Sequence, residues 1–108
     1  MARQLAQVTE IASKTIRLLK DRIPIQSAYL FGSYTQGTAD DDSDIDIAAF
    51  SPAIDNMDLE TKIDLVARVQ KEANAEVEIH LFPERCLKEA RATNFYGYIL
   101  STGTEIKV

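Results

Sequence analysis

Residues 30–50 read LFGSYTQGTADDDSDIDIAAF, and five aspartates (Asp40, Asp41, Asp42, Asp44 and Asp46) stand there between a Gly-Ser pair and an apolar run. Asp40 to Asp42 have the character of a solvated loop. Asp44 and Asp46 differ, because they alternate with Ile45 and Ile47 where Ile45 to Phe50 takes on the composition of a buried strand. Side chains two residues apart on a strand share a face, with Cα atoms roughly 6–7 Å apart. Asp44 and Asp46 are therefore expected to aim at one spot while Ile45 and Ile47 enter the core. Left alone, two such carboxylates repel and one takes up a proton, so two ionised aspartates imply a cation between them. All-oxygen ligation with few protein ligands favours Mg²⁺, which keeps several waters and is usually shared with substrate phosphates.

The other end of the stretch supplies a place for phosphates. Gly32 lets a ligand approach the backbone, and Ser33 opens a short helix expected over Tyr34 to Thr38, whose free N–H groups attract anions. A Gly-Ser pair alone is usually a plain turn, and Asp-x-Asp alone is scarcely more specific. The combination carries the signal: a strand, Gly32-Ser33, ten residues, then Asp44-Ile45-Asp46 opening a second strand.

Outward from this stretch the chain alternates helices and strands without repeats or low-complexity tracts. Leu5, Val8, Ala12, Thr15, Leu19 and Ile23 recur at helical spacing before Pro24, which predicts an amphipathic helix near residues 3–22. Ile25 to Phe31 is the first strand and Ile45 to Phe50 the second. Leu59, Ile63, Val66, Val69 and Ala73 mark a second long helix with Asp58 as its N-cap. Glu76 to Phe82 alternates as a half-buried strand, Pro83 opens a short helix, and Asn94 caps a last helix through Leu100 that stops at Gly103. Thr104 to Val108 is expected to form a final edge strand. The fold class is α/β (α+β): helices packed on a mixed sheet in the order α-β-α-β-α-β-α.

At 108 residues the chain is expected to be one domain spanning 1–108, able to bury about 60–70% of its unfolded surface. No apolar run approaches the roughly 20 residues of a membrane span, and the N-terminus lacks a secretory pattern, so a soluble protein is expected. Cys86 is the single cysteine, which excludes an internal disulfide and fits a cytoplasmic setting. A formal charge of −5 argues against gripping a nucleic-acid backbone. Arg3, Lys14, Arg17, Lys20 and Arg22 nevertheless concentrate in the first 22 residues, as a solvated polar face or as a surface for phosphates or an acidic partner.

With Gly32-Ser33, ten intervening residues and Asp44-Ile45-Asp46 flanked by apolar residues, the sequence resembles the minimal nucleotidyltransferases of the DNA polymerase β-like superfamily. The resemblance implies the nucleotidyltransferase fold and a third carboxylate between apolar residues on a later strand. In VEIHLF, residues 77–82, Glu78 meets that description, whereas Glu76 lies at the strand's beginning. Two positions depart from the family's pattern: Glu78 stands where many members have Asp, and Gln36 where Arg or Lys is frequent.

The resemblance further implies Asp44, Asp46 and Glu78 as catalytic and metal-binding residues for two Mg²⁺ ions, with ATP as substrate bound through Gly32, Ser33 and Ser43. It implies AMP transfer to a hydroxyl supplied from outside the chain. Members this small resemble the antitoxin of two-gene modules, whose all-helical HEPN ribonuclease partner receives AMP on a tyrosine. The alternatives are a small-molecule nucleotidyltransferase acting as a homo-oligomer and a non-catalytic antitoxin that masks its partner.

His80 shares the face of Glu78, and reads either as part of the site or as a polar residue satisfied at a strand end. Cys86 has no ligand-spaced companion and reads as structural. Tyr34 reads as packing or as a wall of the nucleotide pocket. Phe95, Tyr96 and Tyr98 read as core and rim of the last helix, with Tyr96 or Tyr98 available to a partner surface.

Overall fold

The computed structural model describes residues 4–39 and 44–108, apart from the side chain of Gln36. Its elements, in chain order, are α1 (Leu5–Lys20), β1 (Ser27–Phe31), α2 (Ser33–Gln36), β2 (Ile45–Ser51), α3 (Leu59–Ala73), β3 (Val77–Pro83), α4 (Phe95–Thr102) and β4 (Thr104–Ile106). Two 3₁₀ turns, Ile54–Asn56 and Glu84–Leu87, join β2 to α3 and follow β3.

The sheet order is β3-β2-β1-β4, with β2 parallel to β3 and antiparallel to β1, and β1 antiparallel to β4. The sheet is mixed, as expected, and the Asp-Ile-Asp stretch leads into one of its two central strands. Along β2 the pleat sends Ile45, Ile47 and Ala49 to one face and Asp46, Ala48 and Phe50 to the other.

The first face is covered by α1 and α3. Val8, Ala12, Thr15, Ile16 and Leu19 line the buried side of α1 at the spacing of successive helical turns. The Thr15 hydroxyl, buried among them, donates to the Ile11 carbonyl at 2.8 Å and so carries no unmet hydrogen bond into the core. From α3 the buried residues are Leu65, Val69 and Ala73. This corrects part of the sequence pattern, since Leu59 and Ile63 are 69% and 60% exposed. At 3.6 residues per turn Ile63 lies about 120° around the helix from Val69, outside the stripe that touches the sheet.

The second face carries a smaller cluster of Phe31, Ala48, Phe50, Cys86 and Ile99, with Tyr29, Phe82, Leu87 and Tyr96 packed against it. Cys86 is a buried, free thiol, in line with a structural reading. Asp58 and Asn94 cap α3 and α4 as the sequence indicates, accepting from the N–H groups of Thr61 and Gly97.

Several boundaries move. The strand expected from Ile25 begins at Ser27, although the Gln26 N–H already donates to the Phe50 carbonyl at 2.8 Å. The short helix starts at Ser33 and ends at Gly37, whose φ of +74° turns the chain out of the helix. β4 stops at Ile106 because its partner β1 has little left beyond Ala28, the residue opposite Ile106. Arg3, Asp40, Asp41, Asp42 and Ser43, named from the sequence, lie outside the described residues. Among the described residues no helix is long and apolar enough to cross a membrane.

Candidate active site

β1 ends where β2 and β3 begin, and this junction assembles the site. Antiparallel pairing sets Phe31 opposite Asp46, and parallel pairing sets Asp46 opposite Glu78. Strand register thus delivers residues distant in sequence to one end of the second face. His80, one pleat further along β3, faces Ala48, whose methyl leaves room for the imidazole above β2.

Ligand atoms from Asp46, Glu78 and His80 all lie within 4.8 Å of one another. His80 Nε2 is 3.5 Å from Asp46 Oδ1 and 3.9 Å from Glu78 Oε1. Both separations exceed a good hydrogen bond, and Nε2, shut off from solvent, has no hydrogen-bond partner of good geometry among the described residues. Burial lifts the Asp46 carboxyl above the ordinary aspartate range; His80 opposes that rise and the charge of Glu78 adds to it. A half-buried carboxylate, a second carboxylate and an orphaned imidazole nitrogen form a donor set that fits a divalent cation.

Gly32 closes the site from the β1 side. It adopts φ +85° and ψ −151°, a region reserved for glycine, and a Cβ there would collide with the Asp46 carboxylate. It also precedes α2, whose first turn is capped by no side chain among the described residues, while the Gly32 carbonyl accepts from both the backbone N–H and the hydroxyl of Thr35. Ser33, the first residue of α2, follows it directly and is half-buried.

Of the residues expected from the sequence, Gly32, Ser33, Asp46 and Glu78 come together here. Asp44 stands exposed immediately before β2, outside the group formed by Asp46, Glu78 and His80. It precedes the first residue of the strand, so the pleat does not impose a direction on its side chain. His80 is the residue whose place the sequence left open, and its shared parity with Glu78 was the available signal. Shallow concavities beside Ile11, Lys14 and Arg17 on α1 and beside Ile63, Val66 and Leu81 at α3 lie away from this cluster.

Comparison with known proteins agrees with this fold. A family described as polymerase beta, nucleotidyltransferase, matches residues 13–106. The chain belongs to this nucleotidyltransferase family. Over 68 residues it is 41% identical to the protein adenylyltransferase MntA of Shewanella oneidensis, an alignment covering 62% of this chain and 48% of that protein. The chain therefore spans about half the length of this curated relative.

Among solved structures, a toxin–antitoxin with AMP-PNP superposes with a TM-score of 0.64 at 30% identity, covering 89% of this nucleotidyltransferase-family chain and 72% of the other. A second, tri-AMPylated Shewanella oneidensis HEPN toxin in complex with MNT antitoxin, gives a TM-score of 0.60 at 25% identity, with 93% and 71% covered. The fold of these structures matches the mixed sheet and packed helices of this chain.

Proposed function

We propose that this chain is a metal-dependent nucleotidyltransferase that moves AMP from ATP to a hydroxyl of an all-helical HEPN toxin, with tyrosine as the acceptor. The observation that carries the reading is the meeting of Gly32, Asp46 and Glu78 at the β1–β2–β3 junction in a nucleotidyltransferase-family chain. The likeness to a protein adenylyltransferase and to toxin–antitoxin complexes supports the choice of acceptor.

Asp44, Asp46 and Glu78 are the proposed metal ligands, two Mg²⁺ ions being the proposed complement, and Gly32, Ser33 and Ser43 the proposed contacts to the triphosphate. A divalent ion bound there supplies charge neutralisation at the phosphates and acidifies a neighbouring hydroxyl. Glu78 is exposed, and its carboxylate is the proposed acceptor of the proton of the attacking hydroxyl. The new bond joins the acceptor oxygen to the α-phosphorus, and the bond to the β-phosphate oxygen breaks as pyrophosphate leaves. Gly32, having no side chain, lets the phosphates approach the backbone beside Asp46. Phe95 and Tyr98, stacked at 6.3 Å and partly exposed on α4, extend an aromatic surface beside the site on which a protein acceptor can rest.

The experiment is incubation with ATP, Mg²⁺ and the product of the neighbouring gene, followed by intact-mass measurement. Each transfer adds about 329 Da, the increment of one adenylyl phosphodiester. Asp46→Asn abolishes the increment, and Glu78→Gln slows it strongly while the complex still forms. An unmodified partner, under conditions where a small-molecule alcohol is adenylylated, overturns the protein acceptor. A bound partner protected without any transfer reduces the chain to a masking antitoxin.

A further inference from the structure

We infer that His80 is a nitrogen ligand of the metal centre and biases that centre toward a transition-metal ion such as Co²⁺ over Mg²⁺. The inference rests on the metal-dependent reading above and adds a residue and a selectivity to it.

Three observations carry it. His80 Nε2 is buried and makes no well-formed hydrogen bond among the described residues, its nearest acceptor being Asp46 Oδ1 at 3.5 Å. The spacing suits a shared ion: two ligands each about 2.1 Å from a metal stand roughly 3.0 Å apart at a right angle and 4.2 Å apart when opposed. Nε2 lies 3.5 Å from Asp46 Oδ1 and 3.9 Å from Glu78 Oε1, inside that interval. The ring is also held in place, against Phe31 at 5.2 Å between centroids and stacked on Phe82 at 6.3 Å with planes 14° apart. An aromatic seat on one side and two carboxylates on the other aim the nitrogen at the carboxylates before any ion arrives.

The chemical consequence follows from ligand type. Mg²⁺ is a hard ion that prefers oxygen and holds its waters, whereas imidazole suits later first-row ions. Any site binds Co²⁺ somewhat more strongly than Mg²⁺ on general grounds, so the diagnostic quantity is the change in that ratio when the nitrogen is removed. His80→Phe removes it and keeps an aromatic ring between Phe31 and Phe82.

His80 is the only histidine in the chain, which makes its imidazole signals unambiguous in untagged protein. The experiment titrates Co²⁺ alone and Mg²⁺ alone, without nucleotide, into chelator-treated wild type and His80→Phe by calorimetry. Proton NMR of the Co²⁺-loaded wild type is recorded alongside. The expected result is a strongly hyperfine-shifted imidazole resonance in wild type and a fall of at least tenfold in the Co²⁺/Mg²⁺ affinity ratio in the variant. Co²⁺ binding at the site that leaves the histidine resonances close to their metal-free positions overturns the ligand assignment while the metal-dependent reading stands. An unchanged ratio in a folded variant overturns the selectivity. Failure of wild type to bind Co²⁺ overturns the ligand assignment, while the metal-dependent reading is judged by the transfer assay with ATP present. The wild-type spectrum decides the ligand question even where the variant does not fold.

Discussion

Gly32 and Asp46 constrain each other, and neither constraint is visible in either residue alone. A glycine before the Ser33 helix signals a close approach by a ligand. The structure adds that the missing Cβ is also the space occupied by the Asp46 carboxylate, and that the backbone there has φ +85° and ψ −151°. Gly32→Ala therefore faces a backbone penalty of roughly 1–3 kcal/mol together with displacement of a proposed ligand. The expected outcome is a lower melting temperature and loss of AMP transfer in the same variant, read by thermal denaturation and by the mass assay. A variant that keeps its transfer rate argues that the Asp46 position is not critical. Gly32, Asp46 and Glu78 were legible as candidate site residues because each carries a local pattern. His80 was ambiguous because parity states which face a side chain takes and not what waits there.

The caps show where a helix's stability depends on pH. Asp58 caps α3, and hydrogen bonds donated to its carboxylate by Thr61, first from the hydroxyl and then from the backbone N–H, hold the carboxyl below the ordinary aspartate range, with Lys62 nearby adding to the effect. A pKa lower in the folded than in the unfolded chain contributes stability above the ordinary aspartate value. That contribution is lost as pH falls through the depressed folded value.

Asn94 serves α4 without a charge. Its Oδ1 accepts from the N–H groups of Gly97 and Arg91, at 2.9 and 3.0 Å, and its Nδ2 donates to the Glu89 carbonyl at 2.7 Å. Asp58→Ala should lower the melting temperature at neutral pH by an amount that shrinks on acidification. Asn94→Ala should cost about 1 kcal/mol or more at every pH. Melting curves of both variants, taken from neutral pH down through the aspartate range, separate the two behaviours. Both caps were readable from sequence, because a cap needs only a polar side chain at the right offset from a helical pattern.

The sheet separates a face sealed by helices from a face that carries the candidate site. Both α1 and α3 seal the face that carries Ile45, Ile47 and Ala49, while the opposite face gathers Phe50, Phe82 and α4 around the end that holds the carboxylates. Phe50 is fully buried and touches Tyr29 edge-on at 6.2 Å and Phe82 at 5.4 Å. Phe50→Ala is expected to cost about 3–5 kcal/mol, a large share of the roughly 5–15 kcal/mol that holds a domain folded. Ile63→Lys, at a position that the helical pattern assigns to the core, is expected to stay within about 0.5 kcal/mol of wild type because Ile63 is exposed. Urea midpoints of the two variants test the assignment of faces. Equal destabilisation would restore Ile63 to the core.

By itself the sequence determined the order of elements, the two caps, the alternation of Asp46 with its buried neighbours, and the family. These depend on periodicity, on turn and cap chemistry, and on one spaced motif, all of which are short-range properties of the chain. Tertiary structure decided the rest. Pairing of β2 with both β1 and β3 set Asp46 against Phe31 and Glu78, put Ala48 beneath His80, and left Asp44 exposed ahead of the strand. The same packing selected Leu65, Val69 and Ala73 as the buried stripe of α3 and left Leu59 and Ile63 outside it. Strand register and helix rotation are settled by which surfaces meet, and a residue's own neighbours in sequence do not carry that information.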